Sequence, residues 1–263
     1  MKYIFSSVLV LILLTSCKEI QKSDSKNGIA QTETIIANNA DEVTITPIEH
    51  ATAVLQWGET TIYIDPVGGA EAFKNKKKPD LILITDIHGD HFNLETLDFL
   101  DTSKAKIILP QAVANKMPDN YIPQLDVLNN GESKERYGIT VEAIPMYNLR
   151  EEALNFHTKG RGNGYILSKG KQRIYFSGDT EDIPEMRALE NIDKAFICMN
   201  LPYTMTVESA VSAVLAFEPK EVYPYHYRGK PEVSEVAKFK KLVNEINPEI
   251  KVIQLDWYPG SEY

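Results

Sequence analysis

The sequence has 263 residues, enough for one large domain or two small ones, and its hydrophobic content of 43% is typical of a globular protein with a core. It carries 37 acidic and 28 basic residues, and the formal net charge of −9 argues against broad docking on nucleic acid. With two cysteines in the whole chain, a disulfide framework is excluded.

The first 16 residues have the composition of an export signal. A positive charge at Lys2 precedes an apolar run that is too short for a membrane span, so residues 1–16 are predicted to be removed. The ending Leu-Thr-Ser-Cys resembles a bacterial lipobox, which implies that Cys17 is lipidated and anchors the protein to an envelope membrane, inner or outer, facing the periplasm. The alternative is an ordinary signal peptide with an incidental cysteine. Residues 17–41 are polar without a period and are predicted to form a flexible tether.

The folded domain is predicted to span residues 42–263 and to open with a meander of short strands. From Val43 the sequence alternates between apolar and polar residues with tight turns, and the meander ends at Asp65, before a proline. The apolar run Leu81–Ile84 predicts a strand buried on both faces. Leucines spaced by threes then predict a helix over residues 92–100.

The second half of the domain repeats this mixture of strands and helices. Helices are predicted over residues 207–217 and 233–246, and a last strand over residues 251–255. Two halves, each with antiparallel strands and helices, predict two sheets packed together with helices outside.

The residues directly after the buried strand form the most informative motif of the chain. Asp86, His88, Asp90 and His91 place two imidazoles and two carboxylates within six positions. Such groups repel one another when buried unless a cation lies between them, and neutral imidazole with ionised carboxylate is a usual ligand set for a divalent metal. A polar loop that caps the next helix would explain one or two of these residues but not all four.

The remaining histidines and one aspartate also follow predicted strand ends, where the loops of α/β folds gather their sites. The aspartate lies in the segment Ser-Gly-Asp-Thr, where the glycine permits a sharp turn. The residues concerned are His50, His157, Asp179 and His226.

Taken in order, these motifs resemble those of the metallo-β-lactamase fold hydrolases, over residues 43–257. The opening His50-Ala-Thr and the later Ile-Asp65-Pro are similar to the branch that includes the L-ascorbate-6-phosphate lactonases and N-acylphosphatidylethanolamine phospholipase D. The resemblance implies an α/β fold of the α+β type, a four-layer αββα sandwich with a metal site at one edge of its two sheets.

The resemblance also implies the metal ligands. His88 matches a ligand of a first ion, and Asp179 matches a carboxylate that bridges two ions. A second ion would be bound by Asp90, His91 and His226.

Two positions depart from the pattern of this family. Asp86 stands where the family has its first histidine, and it makes the first site harder and more anionic, which favours manganese or iron relative to zinc. The middle histidine is replaced by Asn148, so His157 is the predicted ligand instead, because an amide oxygen is a poor ligand for zinc. A degenerate member with one ion or none is the alternative.

The predicted activity is hydrolysis by a hydroxide that two divalent ions generate, with zinc expected and manganese or iron as alternatives. Asp90 would orient this hydroxide, and His226 would complete the catalytic group. The substrate is predicted to be a small anionic ester, lactone or phosphodiester, and phospholipid cleavage or a non-catalytic envelope binding protein are the alternatives. The candidate substrate contacts are Arg228, Asn148 and Lys159. The candidate groups that orient the metal ligands are His50 and Asp65.

Overall fold

The computed structural model describes residues 42–259 of the chain. The predicted signal sequence, the lipidation site at Cys17 and the predicted tether therefore lie outside the described residues. All described residues fall within one unit of contacts, Asn38–Tyr263. Within residues 42–259, none of the helices has the length and hydropathy that crossing a bilayer requires.

The first sheet is built from the amino-terminal half of the described chain. Its strands are β1 (Val43–Glu49), β2 (Thr52–Trp57), β3 (Thr60–Ile64), β4 (Leu81–Leu83), β5 (Lys106–Leu109) and β6 (Leu125–Val127). They lie side by side in sequence order. The pairs β1–β2 and β2–β3 are antiparallel, as the predicted meander requires, and the pairs from β3 to β6 are parallel.

The second sheet is built from the carboxy-terminal half. Its strands are β7 (Ser133–Arg136), β8 (Ile139–Met146), β9 (Gly162–Lys169), β10 (Gln172–Phe176), β11 (Lys194–Ile197), β12 (Glu221–Pro224) and β13 (Lys251–Val252). Strands β7 to β10 pair antiparallel, whereas β10, β11, β12 and β13 pair parallel. Strands β8, β10, β11 and β12 therefore run in the same direction.

Helices pack on the outside of both sheets. They are α1 (Gly69–Ala72), α2 (Leu94–Phe99), α3 (Gln111–Ala114), α4 (Pro184–Arg187), α5 (Val207–Phe217) and α6 (Val236–Ile246). Alternate residues of β4 and its next residue face different layers. Leu81 and Leu83 belong to the core shared with the second sheet, whereas Ile82 and Ile84 belong to the cluster that includes buried residues of α2 and α3. The predicted four-layer αββα sandwich is confirmed.

Three predicted elements are shorter in the structure than in the sequence analysis. The helix predicted over residues 92–100 begins after Asn93, whose Oδ1 accepts a hydrogen bond of 2.7 Å from Thr96 N. The helix predicted over residues 233–246 begins at Val236, because Ser234 N donates instead to Tyr227 O, at 2.8 Å. The last strand keeps only the two residues of β13, since the ladder to β12 ends there.

The chemistry-bearing loops all lie at one edge of the sandwich. The carboxyl ends of β3 and β4 lie at this edge of the first sheet, and those of β8, β10 and β12 at the same edge of the second. Direct backbone contacts join the two sets of loops there, because Asn163 N donates to Thr85 O at 2.9 Å and His226 N donates to His50 O at 3.2 Å. This edge is where the sequence analysis expects a metal site.

Candidate metal centre

The loop after β4 folds into a tight turn that carries four of the predicted ligands. His91 N and Phe92 N both donate to His88 O, at 3.0 and 2.8 Å, and this turn directs neighbouring side chains to one point. Asp86 and His91 are fully buried, whereas the side chain of Asp90 is 43% exposed. The buried members lie against the second sheet, and Asp90 reaches solvent.

A buried carboxylate fixes the orientation of the His91 ring. Asp65, at the end of β3, accepts hydrogen bonds from Thr85 N at 2.7 Å and from Thr85 Oγ1 at 2.6 Å. Its Oδ2 also lies 2.8 Å from His91 Nδ1. Because Thr85 Oγ1 donates its proton to Asp65 and lies 2.9 Å from His91 Nδ1, the proton between these groups belongs to Nδ1. His91 Nε2 is thereby directed towards the site, as in a metal-ligating histidine.

Asp179 occupies the centre of the cluster. It follows β10 after Gly178, whose φ of +60° lies in the left-handed region that glycine adopts without strain. Its carboxylate lies between three imidazoles: Oδ2 is 3.1 Å from His157 Nε2 and 3.4 Å from His91 Nε2, and Oδ1 is 3.2 Å from His226 Nε2. This is the position that a carboxylate shared by two cations would take.

His226 and His50 meet at the junction of the two sheets. Both have a left-handed backbone, with φ of +46° and +57°, which is unusual for residues other than glycine and is found most often at functional sites. Their rings lie 3.8 Å apart between centroids. His50 Nε2 lies 3.3 Å from Asp90 Oδ2, while its Nδ1 lies 2.7 Å from the hydroxyl of Tyr258. His50 therefore lies directly beside the predicted ligands.

His157 enters the site from the long loop between β8 and β9. Its Nδ1 lies 3.2 Å from Tyr203 O, which leaves Nε2 directed at Asp179. Asn148 lies on the same loop, and its Nδ2 donates to Ala153 O at 2.9 Å and to Tyr203 O at 2.7 Å. His157 is thus among the grouped ligand candidates, whereas Asn148 is not among the residues that line the cavity beside them.

Asp86 lies opposite a cation of the protein itself. Arg161, directly before β9, donates from Nε to Oδ1 and from Nη2 to Oδ2, both at 3.1 Å. His88 Nδ1 lies 2.6 Å from the same Oδ2. Sequence reasoning places Arg161 beside His157 but does not predict its pairing with Asp86, because a separation of 75 positions along the chain gives no sign of it.

The charges of the cluster shift the pKa values of its members in opposite directions. Although burial opposes ionisation, the neighbouring histidines hold the pKa of Asp179 well below its usual value, and they also lower that of Asp90. Burial alone would lower the pKa of His91, but the carboxylates around it raise it well above 6.5. Burial and the neighbouring His226 lower the pKa of His50 to about 4. The cluster thus stabilises positive charge at its centre.

The donor set fits divalent cations. Three groups each bring their own ligand atoms within 4.8 Å of one another, and the last two share His226: Asp86, His88 and His157; His91, Asp179 and His226; and His50, Asp90 and His226. Asp179 Oδ1 is buried and receives no hydrogen bond from any described residue, although an imidazole nitrogen lies 3.2 Å away. Such an atom needs a positive partner, and a metal ion between carboxylate and imidazole supplies one.

A cavity of about 530 Å³ opens beside the cluster. Arg228 and Lys230 contribute positive charge to its wall, and Phe156 and Tyr203 contribute aromatic surface. Lys159, predicted as a substrate contact, does not line this cavity. Its ammonium lies 2.7 Å from Glu185 Oε1 and above the ring of Tyr147, because the loop turns it outwards.

Comparison with known proteins identifies the family of this fold and site. The family model described as "Beta-lactamase superfamily domain" matches residues 44–226. The chain belongs to this superfamily. A UPF0173 metal-dependent hydrolase of Pyrococcus abyssi is 30% identical over 215 residues, which cover 78% of this chain and 92% of the relative.

Solved structures of this superfamily give the same fold. A candidate metal-dependent hydrolase from Parabacteroides distasonis superposes with a TM-score of 0.73 at 35% identity, covering 82% of this chain and 94% of that one. A metallo hydrolase from Ignicoccus hospitalis has a TM-score of 0.68 at 24% identity, covering 81% and 94%, and supports the fold alone. The matched segment of the superfamily domain extends from before His50 to His226, and Arg228 lies just beyond it.

Proposed function

We propose that this metal-dependent hydrolase of the beta-lactamase superfamily uses two divalent ions to hydrolyse a small anionic ester, lactone or phosphodiester. Zinc is the expected metal, with manganese or iron as alternatives. The observation that carries the proposal is the position of Asp179, whose two oxygens face His157 and His91 on one side and His226 on the other. A structural ion pair would need one partner, not three imidazoles.

The residues of the chain divide the work of hydrolysis between them. Divalent ions in such a site polarise a carbonyl or phosphoryl oxygen and supply a nucleophilic water at neutral pH. Asp65 holds His91 in one tautomer and one orientation. Asp90 and Asp179 both line the cavity, but Asp90 is the more exposed of the two, with 43% of its side chain exposed against 4%. Asp90 therefore orients the attacking water and accepts its proton at Oδ1 or Oδ2. His50 Nε2, 3.3 Å from Asp90 Oδ2, fixes that carboxylate.

The charge of the cavity favours an anionic substrate. Arg228 stacks over the ring of Tyr258, with 4.5 Å between Cζ and the ring centroid, and its Nη2 lies 3.1 Å from Glu49 Oε1. This stacking holds the guanidinium beside the site, where it can bind a phosphate or carboxylate in a forked geometry. Lys230 adds a second positive charge to the same wall. The resemblance to the lactonase branch agrees with such a substrate.

The amino-terminal segment supports a proposal for the location of the enzyme in the cell. We propose that Cys17 is lipidated and that residues 17–41 tether the hydrolase domain to a membrane of the bacterial envelope. Mass spectrometry of the membrane fraction would detect the diacylglycerol and fatty acid on Cys17. A Cys17→Ala variant that stays in the membrane fraction would contradict this proposal.

Substitution of Asp90 tests the catalytic proposal. Asp90→Ala should abolish hydrolysis of lactone, ester and phosphodiester probes, because the site loses the exposed carboxylate that orients the attacking water. Asp119→Ala, at an exposed position of the first half of the domain, is the matched control and should keep full activity. Full activity of Asp90→Ala would refute the role that we assign to Asp90. A wild-type protein that binds no metal and hydrolyses none of the probes would favour a non-catalytic binding protein instead.

A further inference from the structure

The ligand cluster has two halves, one with Asp86, His88 and His157 and the other around His226. A buried contact of Asp86 distinguishes the first half from the second. Asp86 is fully buried, and Arg161 forms two parallel hydrogen bonds of 3.1 Å with its carboxylate. The side chain of Arg161 is itself only 18% exposed, and its Nη2 also binds Phe156 O on the loop that carries His157. A protein cation thus already neutralises the carboxylate that replaces an imidazole at this position.

The distances between ligand atoms also differ between the two halves, and they too favour metal binding in the half around His226. Two ligands of one tetrahedral zinc ion, each about 2.0–2.1 Å from it, lie roughly 3.3 Å apart. In one half the distances from His226 Nε2 have this value, being 3.1 Å to His91 Nε2, 3.2 Å to Asp179 Oδ1 and 3.5 Å to Asp90 Oδ2. We call this half the open position.

In the other half the atoms are drawn together. Asp86 Oδ2 and His88 Nδ1 are separated by 2.6 Å, which is a hydrogen-bond distance and too short for two ligands of one ion. An ion that enters between them must break this hydrogen bond and share Asp86 with Arg161. We call the half formed by Asp86, His88 and His157 the closed position.

We infer that Arg161 makes the two metal positions unequal, so that the open position fills first and the closed position fills only at a higher concentration of metal. This inference rests on the proposed function, because it assigns an order of filling to the same centre. The guanidinium acts in two ways: it repels a dication at short range, and it occupies both oxygens of Asp86. Arg161 is therefore a positioning residue that sets the stoichiometry of the centre.

Metal binding itself, without any measurement of activity, tests this order. The protein is stripped with a chelator, titrated with Zn²⁺ or Mn²⁺ by calorimetry, and analysed for metal content after gel filtration. Wild-type protein should keep one equivalent and take up a second with a separate, weaker affinity. Arg161→Gln should tighten the second equivalent by about tenfold or more, since the competing charge is removed.

Two variants control for loss of the ion pair and for misfolding. Arg136→Gln removes another two-bond pair, with Asp126 at 2.7 and 2.6 Å, remote from the cluster, and should leave both affinities unchanged. Because Arg161→Gln leaves Asp86 buried without its partner, Asp86→His combined with Arg161→Gln provides a second test with no uncompensated charge. The double variant should bind two equivalents of similar affinity.

The outcomes separate this inference from the proposal on which it rests. Two equal sites in the wild-type protein would overturn the inference and leave the hydrolase proposal intact. The inference would also be overturned if both Arg161 variants bound the second ion more weakly than the wild-type protein does, because Arg161 would then be needed to hold a ligand in place. Absence of bound metal in every variant would overturn the proposed function together with the inference.

Discussion

The hydrogen bonds behind His91 lead to a quantitative expectation for the variant Asp65→Asn. Asp65 is fully buried and lies within 2.8 Å of three donors, two from Thr85 and one from His91. An asparagine fits the same space, but it removes the negative charge and places an amide group where an acceptor is needed. The variant should therefore keep the fold and lose control over the orientation and tautomer of His91.

The magnitude follows from what such contacts contribute elsewhere. Replacing the partner of a metal-ligating histidine typically weakens metal binding by about 10–100-fold, or about 1.4–2.7 kcal/mol. We place Asp65→Asn in the upper half of this range, because the lost hydrogen bond is buried and charge-assisted. Competition of the protein with a chromophoric chelator measures the affinity directly, and circular dichroism verifies the fold.

A remote carboxylate with similar contacts provides the control. Asp193 accepts a hydrogen bond of 2.7 Å from Arg173 N and pairs with Lys220, far from the cluster. Asp193→Asn should lower the midpoint of thermal unfolding without altering metal affinity. Unchanged affinity in Asp65→Asn, or an equal loss in both variants, would refute the role that we assign to Asp65.

Three other properties of the molecule can be measured on similar samples. Despite their burial, Asp90 and Asp179 have pKa values lowered below 3.8 by the histidines, so their contribution to stability is present above that pH and is lost as the pH falls. The free energy of urea unfolding of the metal-free protein should therefore decrease below about pH 4, and a value that does not change with pH would contradict this. Arg228→Ala should raise KM for anionic probes about tenfold with a smaller change in kcat. An equal rise in KM for neutral probes would argue against a role of Arg228 in binding the substrate anion. Gly229→Ala should cost about 1–3 kcal/mol in unfolding free energy, because its Cβ would lie 1.9 Å from a backbone carbonyl oxygen, whereas Gly89→Ala, with open space around Cβ, should not.

The fold and the location of the cluster could be predicted because both depend on local patterns. Apolar runs of strand length followed by polar residues predict strands that end at loops, and parallel strands bring their carboxyl ends to one edge. This logic places Asp86, His91, Asp179 and His226 together without any knowledge of distances. The predicted end of the 233–246 helix agrees with the structure, but its start was wrong, because a hydrogen bond from Ser234 N to the carbonyl oxygen of Tyr227 outweighs the helical spacing of the side chains.

The contacts that adjust the chemistry could not be predicted, since they join segments far apart in the chain. Arg161 and Asp86 are 75 positions apart, and nothing in either segment favours that pair over a solvated arginine. Lys159 and Arg161 both flank His157, and the sequence does not distinguish them. In the structure Arg161 contacts the cluster through Asp86, whereas Lys159, two positions earlier, pairs with Glu185. Histidine adopts a left-handed backbone more often than most residues, but this preference does not single out His50 and His226 among the five histidines of the sequence.

Asp65 and Asp86 represent two different ways of burying a carboxylate beside a metal centre. Asp65 is surrounded by hydrogen-bond donors, and its hydrogen bond with His91 Nδ1 makes that imidazole a better metal ligand. Asp86 faces a guanidinium, which takes up the charge that would otherwise attract a cation. The cluster is therefore more attractive to metal at the His91 end than at the Asp86 end. Tyr258 binds both His50 and the backbone of Arg228, so the clamp for a substrate anion lies at the His91 end as well. On these proposals, anion binding and the stronger metal position coincide, and the scissile bond would lie beside Asp90.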